Sequence, residues 1–449
     1  MVHVRTLRLA LLLCLAASPL MARDIIIGWN DLGMHCSNKD FSTLVVLPPY
    51  NNIHAQVIQV GDATHNPAIV TSNIHVTYEI PGNTYSVGKT NFWTYANAIF
   101  GATLQPNIGL TGVGLSGDMS ALENYFIVSG VPITPYTDAN LITEDPYQLG
   151  LLKAYDQGGQ LLATTQPVIP VSNEINCVSS GCHSSVQSLL NKHESEDGYN
   201  PNNTPILCAS CHSSNALGTP GKPGLPSLSE AVHSKHGSIT NDCYKCHPGP
   251  NTQCLRDVMK TQHGFTCQSC HGSVSQVGSS IRNGRIPWLQ EPSCGATTCH
   301  GAQYAEEPGK LFRNSKGHGG LYCSACHGEP HAILPSGNAR DNVQNIALQG
   351  YAGTLNKCEV CHGVVPTGAG PHGIIAGNCC SGTRGNVNQS GTVDLADLSA
   401  LVAYLTGAGY TLPCSAAANV NGTGAVDLAD LSALVSYLTG GGYVLPSCI

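Results

Sequence analysis

"HGFTCQSCHG", residues 263–272, places two cysteines and two histidines within ten residues. Its C-x-x-C-H core suits three chemistries: a zinc site, a disulfide loop, or covalent attachment of haem. The choice decides the fold, because a haem supplies apolar surface of its own around which a chain can pack.

The motif recurs. Cys208-Cys211-His212, Cys243-Cys246-His247, Cys267-Cys270-His271, Cys323-Cys326-His327 and Cys358-Cys361-His362 are five copies. Cys177-Cys182-His183 and Cys294-Cys299-His300 keep the pattern with a longer gap, so seven sites fall between residues 177 and 362. Two thiols add to the vinyl groups of a haem, and the histidine after the second cysteine reaches the iron as proximal ligand. A zinc site does not require histidine directly after every second cysteine. The repetition points to seven haem c groups.

The sixth position of each iron separates a carrier from an enzyme. Between residues 176 and 378 the histidines outside the motifs are His193, His233, His236, His263, His318, His331 and His372, a supply that matches the seven motifs. His236, His263 and His318 each precede a glycine and stand four to seven residues before the first cysteine of a motif. A histidine held beside one haem can ligate its neighbour. Past the leader only Met34, Met119 and Met259 remain, so bis-histidine ligation is expected, with low potentials and no open face. That pattern reads as electron transfer.

Arg5 and Arg8 precede the apolar run "LALLLCLAASPL", and Ala22 offers a cleavage point, so residues 1–22 read as an export signal. An oxidising compartment removes the reading of 21 cysteines as reduced buried thiols. The formal charge of −8 leaves no basic stripe for nucleic acid, and no later segment reads as a membrane span. With 50 glycines, 27 prolines and 11% charged residues, loops and β-structure are favoured over long amphipathic helices.

Residues 23–175 carry no haem motif and read as a β-rich, sandwich-like domain. In "NIHVTYEI" the alternation puts Ile74, Val76, Tyr78 and Ile80 on one face, with His75, Thr77 and Glu79 opposite. "LLKAYDQGGQLLATTQPVIPV" predicts two strands joined at Gly158-Gly159. Residues 176–378 are too poor in apolar runs to build an ordinary core; they predict a cytochrome domain packed on its haems, with short helices at the motifs. In "GWNDLGMHCSNKDF", His35, Cys36 and Asp40 lie close, and His54 follows. They read as a metal site, as haem ligands where domains meet, or as a polar turn.

Residues 379–449 contain a repeat of period 33, starting at Asn386 and again at Asn419. Each copy fits a calcium loop followed by a helix. In the first, Asn386, Asn388, Ser390, Asp394 and Asp397 occupy positions one, three, five, nine and twelve, with the Thr392 carbonyl at seven. In the second these are Asn419, Asn421, Thr423, Asp427 and Asp430, with the Ala425 carbonyl. Gly391 and Gly424 stand at the sharp turn, and the first helix is expected to bury Leu398, Leu401, Val402 and Leu405. Cys379, Cys380, Cys414 and Cys448 bracket the repeats and suggest disulfides of unspecified connectivity, while Cys36 and Cys254 either pair or stay free.

The repeat pair resembles dockerin modules, which implies two calcium ions and a cohesin-like partner met through positions ten and eleven, here Leu395-Ala396 and Leu428-Ala429. Each loop has only two carboxylates, so calcium affinity is expected to be modest; a calcium-stabilised helical cap is the other reading. The seven motifs resemble those of exported multihaem c-type cytochromes of metal- and sulfate-respiring bacteria, and "GWNDLGMHC" with "LPPYNNIHAQV" resembles a domain found ahead of such segments. That resemblance implies anaerobic respiration, redox partner proteins or extracellular acceptors, and a place outside the cell, at its outer surface, or in the periplasm. In some relatives subunits polymerise into conducting filaments. The competing class is a multihaem oxidoreductase reducing a small nitrogen or sulfur oxyanion, and a third reading makes the chain a docking component of a surface complex.

Overall fold

The computed structural model describes residues 24–449 except 198, 250, 367–369, 374–382, 424 and 447–449. The export signal and Cys379, Cys380 and Cys448 lie outside the described residues. The architecture is mixed: several small β-sheets and a series of short helices.

The N-terminal β-structure is built on the strand Asp24–Trp29, which pairs antiparallel with Asn52–Gln59, Ile26 opposite Val57. A second sheet joins Ile74–Glu79 to Leu151–Asp156, and that strand to Leu161–Thr165. The hairpin at Gly158-Gly159 is therefore present, and Val168–Ser172 joins a different sheet. Inner faces of both sheets share one core, with Ile26, Ile53, Val57, Phe126 and Val128 meeting Val76, Tyr78, Ile80 and Leu152. The alternation in "NIHVTYEI" is realised, with His75 exposed opposite the buried Val76 and Tyr78. Fully burying such a side chain stabilises by about 1.5–3 kcal/mol, so this cluster is ample to hold the sheets.

The first strand is buried on both faces. Ile25, Ile27 and Trp29 point away from that core and pack on Ala325, Leu355 and Val360, in the haem-motif half of the chain. Polar ties reinforce the contact. The Gln344 amide receives Gly28 N at 2.7 Å and donates to Gly28 O at 3.0 Å. Gly61 N donates to Cys361 O at 2.9 Å, and Gly363 N to Gly61 O at 2.8 Å. Buried Arg256 donates to Gly33 O at 2.6 Å and grips Asp341 through two nitrogens at 2.7 and 3.0 Å. Further along, Ile206–Leu207 pairs in parallel with Leu44–Val45.

Near the C-terminus, Leu395–Leu405 and Leu428–Leu438 are matching helices. Asp394 and Asp397 cap the first as a capping box, and Asp427 and Asp430 the second. Leu401, Leu434, Val387 and Val420 form their shared core, with Leu398 and Leu405 packed against it. Val402 departs from expectation: it is 39% exposed, as is Val435. The buried stripe follows positions 398, 401 and 405, and the neighbouring helix is too narrow a cover to reach the flank where Val402 sits. Cys414 is buried and disulfide-bonded, whereas Cys36 and Cys254 are free thiols.

Candidate haem-binding row

Short helical turns carry most motifs: Cys208–Ser210, Cys243–Lys245, Cys267–His271, Cys323–His327 and Cys358–Val360. A single turn places both cysteines on one side with the histidine beyond them, which is what attachment of a planar group needs. Asp242 caps the second of these by accepting from Tyr244 N.

Opposite the motif histidines stand the histidines from elsewhere in the chain. Ring centres are 6.2 Å apart for His183–His236, 6.0 Å for His212–His193 and 6.0 Å for His247–His233. They are 6.1 Å for His271–His331, 5.9 Å for His327–His372 and 6.1 Å for His362–His318. Two metal–imidazole bonds of about 2.0–2.1 Å each, plus the half-width of each ring, put the two centres roughly 6 Å apart. Six pairs therefore stand at the spacing that one iron atom bridges.

The helix Leu228–His236 supplies two of these partners. Ser227 caps it by accepting from Glu230 N. His233 Nδ1 donates to Ser229 O at 2.7 Å and His236 Nδ1 to Val232 O at 2.8 Å. His212 Nδ1 donates to Pro226 O at 2.8 Å. Tying down Nδ1 fixes the tautomer and leaves Nε2 as the free lone pair, the usual arrangement around a metal-bound imidazole. Because His233 and His236 face the histidines of two motifs, this helix draws those motifs together.

Burial favours the neutral imidazole, the form that coordinates metal, at five of these histidines. His331, by contrast, is raised to about 9 because the neighbouring Cys254 outweighs burial. Desolvation, reinforced by His233, His331 and His271, pulls His247 down to about 4. Burial, then His331 and Arg285, does the same for His271, and burial, then His372 and His300, for His327. His233 and His362 are lowered by burial too. His331 and His372 adopt left-handed backbone, with φ of 67° and 56°. Such conformations cost of order 1–3 kcal/mol outside glycine and concentrate at functional sites.

Thiol proximities give the motifs an order in space. Cys177 lies within electrostatic reach of both Cys208 and Cys246. The Cys243 and Cys267 thiols lie close enough to couple electrostatically. Cys270 lies near Cys299, Cys294 near Cys323, and Cys326 near Cys361. Numbered along the chain, these neighbour contacts link the motifs in the order 2-1-3-4-5-6-7.

His263 and His300 are not brought together. The ring beside His300 belongs to Tyr304, at 6.2 Å, and His263 makes no ring contact among the described residues. Two further participants were not legible in the sequence: the Pro226 carbonyl, and Cys254, whose thiol lies against the His331 ring and couples to it electrostatically. Only their positions in the folded chain identify them.

Among the described residues no group of three or more His, Cys, Asp or Glu side chains is placed to hold a metal, the N-terminal histidines included. His35 Nε2 meets Asp31 Oδ1 at 2.8 Å, while Asp40 bonds to Ser42 and Asn91. His54 is sandwiched between Trp29 and Tyr125, each ring centre 5.7 Å away. Asp31 lies within electrostatic reach of both His35 and His54.

In the C-terminal repeats Asp397 accepts from Asn388 N at 3.0 Å and from Asp394 N at 2.9 Å, and Asp430 repeats this with Asn421 and Asp427. Asn386 Oδ1, at loop position one, is buried without a hydrogen-bond partner among the described residues. A buried acceptor of that kind suits a cation.

Among the described residues no helix is long and apolar enough to cross a membrane. Comparison with protein-family models and with curated proteins returns no match.

Proposed function

We propose that this chain is a seven-haem c-type cytochrome that transfers electrons along a row of covalently held haems. The observation that carries the reading is the facing of six motif histidines with six outside histidines at ring distances of 5.9–6.2 Å. When bound, each haem supplies a reversible one-electron couple. The chain's own residues do the rest. Paired cysteines would hold each porphyrin, six facing histidine pairs would hold six irons, and the helix Leu228–His236 would space two neighbouring groups. Bis-imidazole ligation would keep potentials low and leave those six irons without an open position for substrate.

The row 2-1-3-4-5-6-7 supports passage from end to end, with redox proteins or extracellular acceptors meeting the terminal groups. The reading carries with it three structural units, a β-sandwich-like one, a haem-packed one and a dockerin-like one, in an exported chain. The buried, unpartnered Asn386 Oδ1 favours calcium at the C-terminal loops, which would order that module as a tether to a cohesin-like partner. Coulometric titration of the holoprotein tests the main reading: uptake of seven electrons per chain at low potential supports it. Catalytic turnover of nitrite or tetrathionate at rates of an enzyme would replace it with the oxidoreductase reading.

A further inference from the structure

We propose that the iron carried by motif 5, on Cys294, Cys299 and His300, has an exchangeable sixth position and binds small uncharged π-acceptor molecules. The proposal rests on the haem reading above, and it separates one iron from the other six.

Three observations single out motif 5. First, it is the motif whose histidine has a phenol ring, that of Tyr304, at the distance where the others have an imidazole. Tyr304 in turn lies 5.1 Å from His372, whose ring faces His327 of motif 6. The histidine nearest in the row is thus committed to the next iron.

Second, the histidine left over is poorly placed to close the site. His263 ends the short helix Val258–His263 and is exposed, with neither a ring contact nor a side-chain hydrogen bond among the described residues. His212, His233 and His236 have Nδ1 tied to a backbone carbonyl, so they are held for coordination before any metal arrives. His263 has no such orientation. If it reached the motif 5 iron it would give up side-chain freedom that the fixed histidines have already lost, and a competing ligand would displace it more readily.

Third, the electrostatics select the ligand class. Glu306 accepts from Cys294 N at 2.7 Å and from Ser293 Oγ at 2.5 Å, which fixes a carboxylate beside the first attachment cysteine. A fixed negative charge at that point opposes anions such as nitrite or cyanide and leaves neutral molecules unaffected. Carbon monoxide is the neutral probe, since a reduced, low-potential iron donates electron density back to it.

The test uses full-length holoprotein reduced with dithionite and titrated with carbon monoxide, read by the Soret shift. The expected result is saturation at one carbon monoxide per seven haems, with the same stoichiometry in His263→Ala. Cys294→Ala/Cys299→Ala, confirmed by mass to carry six haems, should bind none. A second reading needs no variant: magnetic circular dichroism of the oxidised protein should show one seventh of the iron as high-spin or weakly ligated. Seven haems by mass with no carbon monoxide bound overturns this inference and leaves the electron-transfer reading intact. Binding that appears only in His263→Ala also overturns it, because His263 would then be a firm ligand. Absence of covalent haem by mass overturns the underlying reading instead.

Discussion

The imidazoles of His233 and His247 lie 6.0 Å apart and within 27° of parallel, although one sits on the helix Leu228–His236 and the other ends a motif on a separate turn. His183 and His236 keep nearly the same separation, 6.2 Å, but cross at 77°. If each pair holds a haem iron as proposed, the two histidines from one helix would impose different imidazole orientations on neighbouring irons.

This difference is measurable. Near-parallel imidazoles split the iron d-orbitals rhombically, whereas crossed ones leave two orbitals nearly degenerate. Low-temperature EPR of the oxidised protein should show both an ordinary rhombic low-spin signal and a large-gmax signal. His233→Ala should remove intensity from the rhombic class, and His236→Ala from the large-gmax class. Identical spectra for the two variants would contradict the pairing.

A pH prediction follows from Asp31. Burial pushes its carboxyl up, but His35, with help from Asn52 and His54, outweighs burial and lowers it from 3.8 to about 2. A carboxyl lowered by folding stabilises the native state above its unfolded pKa, and that stability is lost as pH falls through the folded value. The window is pH 4 to 2. Asp31→Asn should cost about 2 kcal/mol at pH 7, since a pKa unit corresponds to about 1.4 kcal/mol. Urea denaturation at both ends of the window checks this: the gap between wild type and variant should shrink toward zero by pH 2. A pH-independent gap would mean that Asp31 acts through packing alone.

Calcium should bind the C-terminal loops with modest affinity, in the roughly 10⁻⁴ to 10⁻³ M range of extracellular modules, because each loop offers only two carboxylates. Asp397 and Asp430 are fully buried, and each holds two backbone amides of its own loop. Calorimetry of the full chain should detect two sites, with Asp397→Ala and Asp430→Ala each abolishing one. Should millimolar calcium neither bind nor raise the melting temperature, the module is a disulfide-held cap and the tether fails.

The proposed attachment cysteines and proximal histidines could be picked out in the sequence because each set is contiguous and lies within five to seven residues. The pool of histidines outside the motifs could be counted in the sequence. Their pairing was not: His236 reaches back to His183, and His331 reaches His271, through folding that local spacing does not encode. The matched count also suggested that every iron is closed, which the placement of His263 does not support. Alternation located the β-core around Val76 and Tyr78. It gave no sign that Ile25, Ile27 and Trp29 would pack on Ala325 and Val360, because a strand buried on both faces reads as an apolar run with no stated partner. In the C-terminal helix the 3.6-residue period found Leu401 but overextended the buried stripe to Val402.

The most direct test of the central claim is the intact mass of the denatured protein, purified from a host that matures c-type cytochromes. Covalent attachment survives denaturation, so the mass counts thioether-bound haems irrespective of folding. The chain should exceed its apoprotein by seven haems, one for each of Cys177/Cys182, Cys208/Cys211, Cys243/Cys246, Cys267/Cys270, Cys294/Cys299, Cys323/Cys326 and Cys358/Cys361. An excess of five would leave both wide-gap motifs without haem and break the row at motifs 1 and 5; no excess would contradict the account outright.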